Sequence, residues 1–197
     1  QATVGNLNFQ ERDNTDYLIY EGSTDPVYNG SLGNTFNYKG FHLNVFLTYA
    51  FGNVVRLDPA FSAKYNDLTS MTHDFKNRWL QPGDENVTNV PGVVSRYEYE
   101  QNSTLLATAY NAYNYTSVRT AKGDFIRLKE ISLAYDFPHR WFEKSPVNNI
   151  SLKLQATNLM LLYADKKLNG QDPEFMNAGG VASPMPKQFT LTLKLGL

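Results

Sequence analysis

Three histidines, one close pair of acids and a group of loop aromatics are the residues here whose types could do chemistry. His42, His73 and His139 lie far apart in the sequence. Metal ligands and catalytic bases come clustered or at fixed offsets, so this scatter points to neither. Asp172 and Glu174 flank Pro173 and are spaced like paired acids. The solvated turn of a loop accounts for them better. Asp13-Asn14-Thr15-Asp16 has the oxygen donors of a calcium loop, but it lacks the glycine at the sixth position and the closing Glu of an EF-hand. Gly179-Gly180 stands alone and makes no phosphate-binding loop. With no cysteine in 197 residues, neither a disulfide framework nor a thiolate metal site can form. The reading is therefore a non-enzyme with no catalytic residue, no cofactor and no metal.

The aromatics are more informative. Trp79, Tyr97, Tyr99, Tyr110, Tyr113 and Tyr115 fall in one long polar segment. They are expected to contact a substrate or a partner, by stacking on sugars or by docking; otherwise they pack the segment on itself. The charge is balanced, 18 Lys and Arg against 19 Asp and Glu. That excludes a general nucleic-acid surface, which needs a basic excess.

The elements that must position these residues are strands. Ile131, Leu133, Tyr135 and Phe137 alternate with Glu130, Ser132, Ala134 and Asp136, the period-two pattern of a strand with one apolar and one polar face. Pro138, which has no N–H to donate, ends it. Phe41 to Phe51 repeats the pattern. Phe41, Leu43, Val45, Leu47, Tyr49 and Phe51 share a face, and Phe46 is the bulky exception opposite. Leu32 to Tyr38 precedes it across a Lys39-Gly40 turn. Ile150 to Tyr163 alternates until it blurs at Leu159-Met160-Leu161-Leu162, Gln188 to Leu197 alternates throughout, and short extended stretches are expected at Asn6–Phe9 and Tyr17–Tyr20. Eleven residues matches the roughly 9–11 of a tilted bilayer-spanning strand. No run approaches the ~20 apolar residues of a spanning helix.

The connections alternate in length. Lys39-Gly40 and 139–149 are short; 21–30, 52–122 and 164–187 are long, with a short helix expected around Pro59 to Lys76. Transmembrane barrels have short inner turns and long outer loops. Phe36, Tyr38, Phe41, Tyr135 and Phe137 all fall at the short-turn end, where an interfacial girdle belongs. The apolar faces, and with them Leu43, Val45, Leu47, Ile131, Leu133, Leu152, Leu154, Leu191, Leu193 and Leu195, are expected to meet lipid. Arg127 and Lys129 share the parity of these residues, so the pattern places them above the bilayer. The expected division is an entry segment (1–30), a barrel hairpin (31–51), a long extracellular loop (52–122), barrel strands with a periplasmic turn (123–163), a second extracellular loop (164–187) and a final strand (188–197). A secreted β-sandwich that binds carbohydrate through loop aromatics is the alternative.

Five stretches carry a family likeness: GNTFNYKGFHLNVFLTYAFGN (33–53), GDFIRLKEISLAYDFP (123–138), LQATNLMLLY (154–163), GQDPEF (170–175) and PMPKQFTLTLKLGL (184–197). In that order and spacing the chain resembles the C-terminal part of SusC/RagA-family TonB-dependent outer-membrane transporters. The resemblance implies an all-β fold, the C-terminal strands of a larger, 22-stranded antiparallel transmembrane barrel. It implies Gram-negative outer-membrane import of oligosaccharides or peptides. The implied partners are the rest of the barrel and its plug, a SusD-like surface lipoprotein, TonB and outer-membrane lipid. It treats Gly170 to Phe175 as a structural loop signature. The plug and most strands are absent from these residues, and QATVGNLNFQ has no leader-like basic or apolar region. The chain thus reads as a mature or internal C-terminal piece.

Overall fold

The computed structural model describes residues 17–65, 68, 70–176 and 186–196. The stretches Asn6–Phe9, Asp13–Asp16 and Gly179-Gly180 lie outside them. The chain forms two compact units. One comprises Gly22–Val55 and Lys122–Leu197; the other comprises Arg56–Ala121 and the residues up to Glu21.

The first unit is one antiparallel sheet. Its strands are β1 (Tyr28–Tyr38), β2 (Phe41–Phe51), β5 (Phe125–Asp136), β6 (Asn149–Ala164) and β7 (Gln188–Gly196), in the order β1-β2-β5-β6-β7. Two short strands, β3 (Val54–Arg56) and β4 (Thr120–Lys122), form a separate two-stranded sheet. β1 begins four residues earlier than Leu32, and Tyr17–Tyr20 carries no strand.

Register follows the alternation. Phe36 pairs with Leu43, Leu43 with Leu133, Leu133 with Leu154, and Leu154 with Leu191. Polar residues pair likewise: Thr35 with Asn44, Asn44 with Ser132, Ser132 with Gln155, Gln155 with Thr190. Because the side-chain period is two, a slip of one residue would mix the faces, so the pattern selects the register. The hairpin closes on Lys39 (φ 46°) and Gly40 (φ 84°). Positive φ at both central residues matches the strand twist, and glycine takes it without strain.

The second unit is organised by α1 (Arg96–Asn114), not by a helix at Pro59 to Lys76. Within that expected range the described structure holds only a 3₁₀ turn at its end, His73–Asn77. The helix starts where Ser95 accepts a hydrogen bond from the Glu98 N–H, the Ser-x-x-Glu start signal of a capped helix. Phe61, Ala63 and Tyr110 form its core, with Phe75, Val90, Val94, Tyr99, Leu106 and Tyr113 packed around them. No helix among the described residues is long and apolar enough to cross a membrane.

Candidate functional site

The five-stranded sheet has two faces of opposite chemistry. The outer face carries Leu43, Val45, Leu47, Ile131, Leu133, Leu152, Leu154, Leu191, Leu193 and Leu195 in continuous register. Leu191 is 68% exposed and Leu133 45%. Among the described residues no second sheet covers this face, and a sandwich requires one. Aromatics bound it at both ends. At the turn end the Phe41 and Tyr135 rings lie 4.4 Å apart, Tyr135 and Phe137 5.0 Å, Phe137 and Trp141 5.7 Å. At the other end Tyr28 pairs with Phe51, and Ile126 pairs with both Tyr49 and Tyr163. At ~3.4 Å per residue an eleven-residue strand runs about 34 Å, and a tilt of about 40° reduces this to a span of about 26 Å, close to the ~25 Å apolar band of a membrane barrel.

The inner face is polar and internally bonded. Thr35 donates to Asn44 Oδ1 at 3.2 Å. The His42 ring nitrogens lie 2.9 Å from Asp136 Oδ2 and 2.6 Å from Asn37 Oδ1. The His42–Asp136 pair is solvent-exposed, so it fixes the strand ends with little energy. Phe46, the exception to the alternation, lies across Gly33, where a Cβ would come within 3.2 Å of its ring.

Arg127 overturns the parity expectation. Relative to β2, Lys129 is an extra residue in β5, since Glu130 pairs with Phe46 and Leu128 with Leu47; on the β6 side Leu128 pairs with Met160 and Glu130 with Thr157, so there two β6 residues stand opposite it. A bulge of this kind resets the alternation. Leu128 and Ile126 therefore continue the outer face, and Arg127, opposite Thr48, turns inward. It is buried. Its Nη2 lies 2.5 Å from both carboxylate oxygens of Asp172 and 3.2 Å from Glu174 Oε2.

Asp172 is accordingly not a solvated turn residue, since its side chain is as buried as that of Arg127, each 8% exposed. Asp172 Oδ1 also accepts the Glu174 N–H, and its carbonyl accepts from Phe175, starting the short helix α2 (Pro173–Met176). Earlier in the same segment Asp165 accepts from the backbone N–H groups of Lys122 and Lys167. Burial alone would raise the Asp165 carboxyl, but these two bonds and the nearby lysine charges bring it below its usual value. Residues 165–176 are thus tied to β4 at one end and to β5 at the other.

The sequence-selected aromatics divide in two. Tyr110 is buried and donates its hydroxyl to the Gly92 carbonyl, Tyr113 meets Phe61 edge-on at 5.3 Å, and Tyr99 packs on the same cluster. Tyr97 is 75% exposed, Tyr115 lies beside Arg56 at 5.6 Å, and Trp79 donates its indole N–H to Glu85. Asn114, which matches the N-glycosylation pattern as Asn114-Tyr115-Thr116 but which nothing in the sequence marks as a core residue, anchors this core. Its Nδ2 donates to the Phe61 carbonyl at 2.7 Å and its Oδ1 accepts the Phe61 N–H at 3.3 Å. Asn114→Ala leaves two buried backbone groups unpaired, and we expect a loss of roughly 2–4 kcal/mol, read as faster limited proteolysis of 56–121.

Burial, reinforced by nearby Tyr65, pushes the Tyr110 phenol up to about 12. The unfolded phenol ionises near 10, so the stability it contributes is intact below that value and lost as pH rises to about 12. Near-ultraviolet dichroism should therefore report loosening of this unit over that window, and Tyr110→Phe should remove that component. Among the described residues no three His, Asp or Glu side chains converge as a metal site.

No family model matches the chain. It is 25% identical over 192 residues to TonB-dependent receptor P39 of Formosa agariphila, an alignment covering 91% of this chain and 17% of that protein. Its fold matches the RagAB peptide importer in the 'open-open' state with a TM-score of 0.61, at 21% identity over 90% of this chain and 18% of that one. The RagAB peptide transporter matches with a TM-score of 0.60, at 22% identity over 89% and 18%. The chain thus spans about one sixth of the length of the relative it matches. In sequence the chain is similar to a segment of a TonB-dependent receptor, and in fold to a segment of the RagAB peptide importer.

Proposed function

We propose that the chain supplies closing strands and external loops of a 22-stranded, TonB-dependent outer-membrane barrel that imports oligosaccharides or peptides without catalysing a reaction. The observation that carries this reading is the sheet itself: an uncovered apolar face bounded by two aromatic rows, backed by a polar inner face. In this reading the outer face meets lipid, and the 139–149 connection is periplasmic. Segments 52–122 and 164–187 are extracellular, and the plug lies against the inner face. A SusD-like lipoprotein closes the outer mouth, and TonB supplies energy through the plug. Trp79, Tyr97 and Tyr115 are the loop aromatics best presented to solute or lipoprotein, while Tyr99, Tyr110 and Tyr113 shape the loop that presents them. The test is fractionation of cells producing the parent protein. Recovery with outer membranes after alkaline carbonate washing is expected; a soluble parent protein would end the proposal.

A further inference from the structure

At the turn end of the outer face the sheet is notched. Phe137, Trp141, Phe142, Ile150, Leu152 and Leu193 line an open cavity of about 340 Å³ with no polar side chain among them. The notch is a built feature. The Phe137 N–H bonds the Ile150 carbonyl at 3.0 Å, and a 3₁₀ turn at His139–Trp141 follows Pro138, whose carbonyl accepts the Trp141 N–H. His139 Nδ1 lies 3.2 Å from the Asn148 carbonyl, and its ring packs edge-on against Phe142. This turn sets Trp141 against Phe137 at 5.7 Å and leaves it 60% exposed.

Three observations identify the occupant. The notch continues the apolar face through Leu152 and Leu193, so whatever solvates that face also fills the notch. It lies in the aromatic row, the depth of an interface between acyl chains and head groups. The turn that forms it exposes two cations, Arg140 and Lys144, against one acid, Glu143, with His139 beside them. We propose that this notch binds one anionic phospholipid of the leaflet on the short-turn side, with an acyl chain between Trp141 and Leu152 and the phosphate at Arg140 and Lys144. The inference rests on the reading that the outer face meets lipid. In a bilayer, filling an apolar notch carries no hydrophobic gain over neighbouring lipid, so preference must come from the head group. Opposite charge near a membrane surface supplies it.

The parent transporter, reconstituted in vesicles with bromine-substituted acyl chains, provides the test. Trp141 emission is taken as the difference between the native protein and Trp141→Phe. At equal mole fraction, brominated phosphatidylglycerol should quench it with roughly tenfold higher apparent affinity than brominated phosphatidylcholine, the preference expected for two basic residues partly offset by one acid. Arg140→Gln with Lys144→Gln should bring the two lipids level while leaving quenching itself in place. Equal quenching by both lipids in the native protein overturns the site but leaves the lipid-facing reading standing. No quenching by either overturns both.

Discussion

Arg127→Leu should release residues 172–176 from β5. The substitution removes the cation that both oxygens of buried Asp172 contact. Breaking a buried pair by deleting one partner costs about 3–5 kcal/mol, because the remaining charge is stranded. Glu174 adds little, since its side chain is 44% exposed and water can replace the contact. The strand β5 keeps its ladder, so the cheaper response is for the loop to lift and rehydrate Asp172. Hydrogen exchange should then show lost protection at Phe175, whose N–H bonds the Asp172 carbonyl, with β5 itself unchanged. The double variant Arg127→Leu with Asp172→Leu should recover much of the loss, because an apolar pair strands no charge. Unaltered protection in Arg127→Leu would show that the ion pair does not hold the loop. The alternation of the sequence leads to the opposite expectation, that leucine is harmless at 127. The bulge at Lys129 is the reason that expectation fails.

The second large effect is a depth profile along β5. Ile131, Leu133 and Tyr135 point outward and pair with Val45, Leu43 and Phe41. Tyr135 lies in the aromatic row and Ile131 midway to the opposite row at Tyr49. An arginine on a lipid face costs roughly 2–4 kcal/mol at the bilayer midplane and about 0–1 near the interface. Assembly into outer membranes, followed by the heat-sensitive mobility of a folded barrel, should therefore fall most for Ile131→Arg, less for Leu133→Arg and least for Tyr135→Arg. Ile131→Met, which stays apolar, should assemble normally. A soluble core would penalise all three arginines by burial and packing instead of depth. Equal losses at 131 and 135 would therefore count against lipid on this face.

The loop unit shows how far local signals reach. Ser95 and Glu98 formed a readable helix start, and α1 begins there. The helix was still obscured, because Asn102, Ser103, Thr104, Thr108, Asn111 and Asn114 crowd it with poor helix formers and its backbone kinks at Asn102. Its stability comes from tertiary packing on Phe61 and Ala63. The aromatics at 99, 110 and 113 were legible as a group, and Tyr110 and Tyr113 have the three-residue spacing of one helix face. Which of them would be covered depended on Phe61, some fifty residues away.

Alternating apolar and polar residues alone determined five strands, their two faces, the Lys39-Gly40 hairpin and the aromatic row at the short turns. A strand's side-chain direction is a local property with period two, so it can be read residue by residue. The tertiary structure decided where that period breaks. The bulge at Lys129 is seen only in the pairing of β5 with β2, where one extra β5 residue stands between Phe46 and Leu47. Once the parity resets, Arg127 faces inward and meets Asp172, a partner 45 residues away. A pairing of that kind depends on two strands and a loop closing together in space, and no local pattern in a single chain encodes it.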